Sequence, residues 1–98
     1  MQYEILSTDV LNKWFGKLKD AGVKQKILSR LARVENGNLG DCKQITQHLF
    51  ELRFFFAGGL RIYYAIRGDR IILLLTGGDK STQDKDIDRA EKLLNELE

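Results

Sequence analysis

Residues 48–67 are the segment that most constrains how this chain folds. Two runs rich in Phe, Leu, Ile and Tyr are separated by Ala57-Gly58-Gly59. Such side chains favour a pleated, half-buried surface, and glycine permits the positive φ that a tight turn needs. The segment therefore predicts an antiparallel β-hairpin at the centre of a sheet.

Side chains on a strand point alternately to its two faces, so the hairpin should have two different sides. One side is apolar and predicts the wall of the core, made of Phe50, Leu52, Phe54, Ile62 and Tyr64. Helical stripes elsewhere in the chain supply candidates to pack on it, namely Trp14, Phe15, Leu28 and Leu31. The other side has polar character and holds Glu51, Arg53, Arg61 and Tyr63.

The arginines on the polar side form a candidate anion site. If the turn is centred on Gly58, Arg53 lies opposite Tyr63 and diagonally across from Arg61, with Cβ atoms about 7–8 Å apart. Two guanidinium groups at this spacing are suited to holding one phosphate. Arginines on a solvent-facing strand also keep a protein soluble and form salt bridges at its rim. Alternation alone leaves both roles open.

The rest of the chain predicts an α+β fold in one domain, residues 1–98. A short N-terminal strand precedes a two-helix hairpin, an antiparallel sheet of three to four strands, and a C-terminal amphipathic helix. A turn at Gly68-Asp69 should start the last strand. That register places Ile72 and Leu74 on the polar side, where the C-terminal helix or another protein would cover them. It also brings Lys80 close to the arginines.

Charge is unevenly distributed along the chain, although the net charge is only +2. Residues 11–33 hold seven basic side chains and one acid, which favours a polyanionic partner. Lys13, Lys17 and Lys24 are therefore candidates for binding a polyanion such as RNA, although a solvated helix face has the same composition. The chain contains no run of roughly 18 apolar residues and its start is unlike a signal peptide, so we expect a cytoplasmic protein without membrane contact.

The elements follow the order strand, two helices, antiparallel strands, helix. Within that order, the informative segments are residues 14–20 and 27–40, Asp41-Cys-Lys43, Glu51-Leu-Arg53, residues 59–64, and the long segment 74–87. Over nearly the whole chain these segments resemble the RelE/ParE superfamily of bacterial toxins, and within it the HigB-like addiction-module killer proteins, some of which are phage-derived.

The resemblance implies a toxin that is neutralised by a helix-turn-helix antitoxin encoded by the adjacent gene. Such toxins enter the ribosomal A site and cleave mRNA, and they contact operator DNA only through the antitoxin. Matched by position, the family's catalytic and phosphate-binding residues correspond to Glu51, Arg53, Arg61 and Lys80.

RNA cleavage at such a site needs a base, a cationic group and an acid. Glu51 is a candidate base for the 2′-hydroxyl, or else a residue that orients Arg53. Arg53 and Arg61 would stabilise the phosphorane, and Lys80 would protonate the leaving oxygen. Tyr63 would stack on a base or hydrogen-bond the phosphate. This chemistry needs neither a metal nor a cofactor, and we expect none.

Two alternatives belong to other functional classes. ParE-like relatives share the fold but inhibit DNA gyrase without cutting RNA, so the arginines would then be interface residues. The second alternative is a regulatory protein that acts only in complex with its antitoxin. The four residues Glu51, Arg53, Arg61 and Lys80 on one face favour the nuclease.

Overall fold

Five strands form one mixed sheet that has helices on both faces. The computed structural model describes residues 2–97. Its elements are β1 (Glu4–Ser7), α1 (Asp9–Lys17), α2 (Ala21–Glu35), β2 (Cys42–Gln44), β3 (Phe50–Arg53), β4 (Arg61–Arg67), β5 (Ile71–Gly78), a 3₁₀ turn (Lys80–Thr82) and α3 (Gln83–Leu97). The strand order is β1-β5-β4-β3-β2, with β1 parallel to β5 and the other pairs antiparallel. The predicted α+β arrangement is confirmed, with more strands than expected.

Side-chain caps define where the first two helices begin. Thr8 Oγ1 accepts a hydrogen bond from the Leu11 N–H and donates one to the Leu75 carbonyl, 2.6 Å away, which ties the start of α1 to β5. Asp20 accepts hydrogen bonds from the Gly22 and Val23 N–H groups at the start of α2. Both residues are of the types that favour this position. Among residues 2–97, no helix combines the length and apolar character required to span a membrane.

The α1–α2 face of the sheet is the main core. Leu52, Phe54, Ile62 and Tyr64 are buried there against Leu11, Ile27 and Val34, and Phe50, Trp14, Phe15 and Leu31 pack around them. The apolar side of the hairpin is therefore confirmed as a core wall. Leu28 was expected to face it but is half exposed, because Ile27, Leu31 and Val34 occupy the inward stripe of α2 and the next position along points away.

The other face of the sheet is covered by α3. Leu49, Tyr63, Ala65 and Leu75 are buried there against Ala90 and Leu94. The C-terminal helix is thus the cover for this side. The prediction that Ile72 and Leu74 share this face is wrong, because both belong to the α1–α2 core.

Two turns account for the incorrect register. Residues 53 and 61 are partners, so the β3–β4 turn is centred on Ala57, which has a positive φ of 51°. Arg67 pairs with Ile71 instead of Arg70, and a bulge at Tyr63/Tyr64 adds one more residue to β5. The shift of one residue at the β4–β5 turn moves the side chains that follow it to the opposite face, which explains the displacement of Ile72 and Leu74. The bulge comes after both residues.

Candidate active site

A buried carboxylate and a partly buried guanidinium lie together near the start of α3. Glu51 on β3 is 1% exposed, and its Oε2 is 3.6 Å from Nε of Arg61 on β4. The Arg61 side chain is 13% exposed, and its Nη1 donates a hydrogen bond of 2.7 Å to the Gly59 carbonyl. A carboxylate this deeply buried requires a charged or hydrogen-bonding partner, and Arg61 supplies the charge.

The first residue of α3 also contacts the carboxylate. Gln83 Nε2 donates a hydrogen bond of 3.4 Å to Glu51 Oε2. The position of the Glu51 carboxylate therefore depends on α3 as well as on the sheet. Sequence reasoning missed Gln83, because its separation from Glu51 along the chain left no local signal.

Tyr63 lies directly opposite Glu51 in the sheet and is completely buried. Its hydroxyl has no hydrogen-bond partner among residues 2–97. Burial raises the pKa of Tyr63, and the negative charge of Glu51 raises it further. Tyr63 was predicted to stack on a base or hydrogen-bond the phosphate, and the structure buries its side chain beneath α3.

Arg53 lies directly opposite Arg61, closer than the diagonal arrangement predicted from the turn. Residues directly opposite each other have Cβ atoms about 4.5–5.5 Å apart. The Arg53 guanidinium nevertheless pairs with Asp41 at 2.9 Å, and this hydrogen bond raises the pKa of Arg53. Each arginine thus has its own carboxylate, Glu51 for Arg61 and Asp41 for Arg53.

Arg30 of α2 holds the Asp41 loop in place, a role that the sequence did not reveal. Its guanidinium donates hydrogen bonds to the carbonyls of Leu39, Asp41 and Arg53, at 2.7–2.9 Å for the shortest contact to each. It also lies over the Phe54 ring, 4.9 Å from the centroid. The loop that positions the partner of Arg53 is therefore anchored to both α2 and β3.

Lys80 lies on the other side of Arg61, where the sequence placed it. Its backbone N–H donates to the Gly58 carbonyl at 3.2 Å. A Cβ built on Gly59 would be 3.2 Å from Arg61 Nη1 and 3.4 Å from Lys80 Cβ, so both side chains adjoin this glycine. Gly59 has a positive φ of 76°. The Lys80 side chain is exposed.

The three helical lysines do not form one cluster. Lys13 and Lys17 are exposed beside Trp14, Gly77 and Arg89, where they line a shallow cleft at the end of β5. Lys24 is on α2, with its Nζ 5.5 Å from the centroid of the Phe15 ring. The structure thus brings Glu51, Arg53, Arg61 and Lys80 to one end of the sheet. Lys13, Lys17 and Lys24 lie outside that group.

The fold is shared with solved bacterial toxins. A double-arginine mutant of Escherichia coli toxin RelE in the free state superposes with a TM-score of 0.74 and 15% identity, over 94% of this chain and 97% of that one. RelE in the intact E. coli RelBE toxin–antitoxin complex superposes with a TM-score of 0.61 and 15% identity, over 79% and 95% of the two chains. At this identity the likeness concerns the fold, which is that of the RelE toxins.

Sequence comparison identifies the family. Residues 13–95 match the family described as phage-derived Gp49-like proteins (DUF891), and the chain belongs to that family. An uncharacterized protein of Haemophilus influenzae is 42% identical over 97 residues, which cover 99% of this chain and 98% of that protein. The predicted phage-derived family is thereby confirmed, and the solved structures confirm the predicted RelE-like fold.

Proposed function

We propose that this protein is the toxin of a toxin–antitoxin module and that it cleaves mRNA at the site formed by Glu51, Arg53, Arg61 and Lys80. One observation carries the proposal: Glu51 and Arg61 are in contact, and Lys80 adjoins Arg61 across Gly59. A potential base, a cationic stabiliser and a potential acid therefore lie within one small region. The RelE fold and the family membership support the toxin role.

Cleavage at this site would follow an in-line displacement on phosphorus. Glu51 accepts the proton of the 2′-hydroxyl, the 2′-oxygen bonds to phosphorus, and the bond to the 5′-oxygen breaks. Arg61, with Arg53 opposite it, stabilises the charge on the phosphorane, and Lys80 donates a proton to the departing 5′-oxygen. The products are a 2′,3′-cyclic phosphate and a 5′-hydroxyl. Because Glu51 is buried under the start of α3, RNA reaches it only when that segment moves aside.

The proposed partners follow from the same fold. RelE structures have been solved with the antitoxin RelB and with an antitoxin RelBc peptide, so we propose that an antitoxin binds this chain as well. We further propose that it is a helix-turn-helix protein encoded by the adjacent gene, that operator DNA is contacted only through it, and that the toxin acts on mRNA in the ribosomal A site in the cytoplasm. Ile72 and Leu74 are excluded as its docking surface because both are buried.

Induced expression followed by primer extension on cellular mRNA tests the proposal. The wild type should produce new 5′ ends and arrest growth, and co-expressed antitoxin should relieve the arrest. Lys80→Ala should slow cleavage while leaving RNA binding intact, since a group acting in the transition state contributes little to ground-state binding. Arg61→Lys should retain only part of the activity, because a point charge does not reproduce bidentate phosphate contact.

Lys85→Ala provides the matched control, because Lys85 is an exposed lysine on α3. Its cleavage rate should equal that of the wild type. If growth arrest persists unchanged when Arg53, Arg61 and Lys80 are all replaced by alanine, the nuclease proposal fails. Inhibition of DNA gyrase supercoiling by the same variant would then identify a ParE-like mode of action.

A further inference from the structure

The connection between β3 and β4 exposes a large aromatic side chain. Phe55 is 89% exposed, whereas its neighbour Phe54 is 4% exposed in the core. Phe56 packs edge-to-face against Phe54, with centroids 5.5 Å apart. The connection is therefore anchored on either side of Phe55, and the ring of Phe55 projects from a fixed base.

A basic groove runs between this connection and α2. It has a volume of about 530 Å³, and Phe55 and Phe56 line one wall while Lys26 and Arg33 line the other. Lys26 Nζ is 5.0 Å from the centroid of the Phe56 ring. Residues 21–34 contain four basic residues and no acid. The groove thus combines an aromatic platform with cations.

The basic residues of the groove differ in what they already bind. Arg30 is committed to the carbonyls of Leu39, Asp41 and Arg53. Lys26 and Arg33 form no ion pair with a carboxylate within the described residues 2–97. Arg30 therefore builds the floor of the groove, and Lys26 and Arg33 are available to an anionic ligand.

The groove continues towards the candidate active site. A second depression of about 270 Å³ is lined by Phe55, Arg33 and Asp41, and Asp41 holds the guanidinium of Arg53. A nucleic-acid strand lying in the groove would accordingly lead towards the end of β3, where Arg53 lies. The two adjoining depressions therefore extend from Phe55 towards the proposed catalytic site.

We infer that this groove binds a single-stranded segment of RNA, with one base stacked on Phe55 and the flanking phosphates held by Lys26 and Arg33. Stacking on an aromatic side chain together with a basic groove is the general way that proteins bind single strands without reading sequence. The inference rests on the proposed function, since it extends the RNA contact beyond the cleaved phosphate. The charge of the groove favours a polyanion over an apolar partner.

Equilibrium binding of a fluorescein-labelled 2′-O-methyl oligouridine tests this inference. The probe is about 10 nucleotides long, within the range of single-strand site sizes, and it lacks the free 2′-hydroxyl needed for cleavage. Phe55→Ala should weaken binding by about 5- to 150-fold, the range measured for loss of one stacked base. Phe55→Leu should weaken it similarly, whereas Phe55→Tyr should retain it because the ring remains.

The salt dependence of oligonucleotide binding tests whether Lys26 and Arg33 contact phosphates. Lys26→Ala and Arg33→Ala should each weaken binding and reduce the slope of log affinity against log salt by about 0.7, as expected for one lost contact to a single-strand phosphate. Leu28→Ala is the matched control, because Leu28 is a half-exposed apolar residue of the same helix outside the groove. It should bind the oligonucleotide like the wild type.

Failure of this inference differs from failure of the proposed function. If the wild type does not bind the oligonucleotide, or if Phe55→Ala binds it with the affinity of the wild type, the groove does not bind RNA as we infer. This holds even if mRNA cleavage is observed. Weaker binding by the groove variants supports the groove even if no cleavage occurs. Loss of antitoxin binding by Phe55→Ala, with affinity for the oligonucleotide unchanged, would instead assign the groove to a protein partner and refute the inference.

Discussion

Replacing Arg61 by alanine should separate the structural role of this residue from its catalytic one. Glu51 is 1% exposed in the wild type, and the substitution would remove the guanidinium that now lies 3.6 Å away. Removing one partner of a buried ion pair typically costs about 3–5 kcal/mol, because an uncompensated charge remains in the interior. We expect Arg61→Ala to lose this amount of unfolding free energy, which is a large share of the roughly 5–15 kcal/mol that such a domain has.

The double variant Arg61→Ala/Glu51→Gln provides the control for that interpretation. A neutral amide no longer requires a cation, so the double variant should recover most of the lost stability. Arg61→Ala alone should lose cleavage by roughly 10²-fold or more, the scale for removal of one preorganised donor to the transition state. The double variant should not regain cleavage, because it also lacks the candidate base. Stability and activity would then respond differently to the same second substitution.

Urea unfolding followed by the fluorescence of Trp14 measures both variants. Trp14 is the only tryptophan and packs against the α1–α2 core. With an m value of about 1.5 kcal/mol/M, the midpoint of Arg61→Ala should fall by about 2–3 M. A loss below about 1 kcal/mol, or a double variant no more stable than Arg61→Ala, would refute the view that Arg61 neutralises a buried Glu51.

Three further predictions concern the core, the candidate acid and the turn before α3. Phe54→Ala should lose about 3–5 kcal/mol of unfolding free energy in urea, as for other buried phenylalanines, whereas the exposed neighbour Phe55→Ala should change it by less than about 0.5 kcal/mol. In single-turnover cleavage, Lys80→Ala should lower the maximal rate but not the RNA concentration at half-maximum; the opposite pattern would make Lys80 a binding residue. Hydrogen bonds from Ser81 lower the pKa of Asp79, so its carboxylate stabilises the fold above the unfolded pKa, about 4, and loses this effect as pH falls through the lower native pKa. Asp79→Ala should therefore be less stable than the wild type at neutral pH, and thermal unfolding at about pH 2 should show the difference largely gone.

The order and type of the elements could be predicted from local patterns. Thr8 and Asp20 cap the helices that the apolar stripes indicated, and the alternation of Leu52, Phe54 and Ile62 correctly identified the core wall. These features depend on neighbours within one or two turns of the chain. The family resemblance likewise depended on contiguous segments, and it pointed to the same fold.

Register was the property that local patterns could not supply. The β3–β4 turn is centred on Ala57 although two glycines follow it, and β5 contains an extra residue opposite Tyr63/Tyr64. Both choices are settled by how the sheet packs against its helices, because a turn and a bulge each have several permitted positions in one sequence. At the β4–β5 turn Arg67 pairs with Ile71 and not with Arg70, and this shift of one residue is why Ile72 and Leu74 were assigned to the wrong face.

The sequence alone determined which side chains could form the candidate site, and the tertiary structure decided their surroundings. Strand alternation, a property of the backbone itself, places Glu51 and Arg53 on one face, and the pairing of Arg53 with Arg61 places Arg61 on the same face. The burial of Glu51 and Tyr63 under α3, the contact of Gln83, and the Asp41 partner of Arg53 arise from segments that are distant along the chain. Such contacts depend on the packing of whole elements against one another, and the environment that sets the charge and accessibility of this site is a product of that packing.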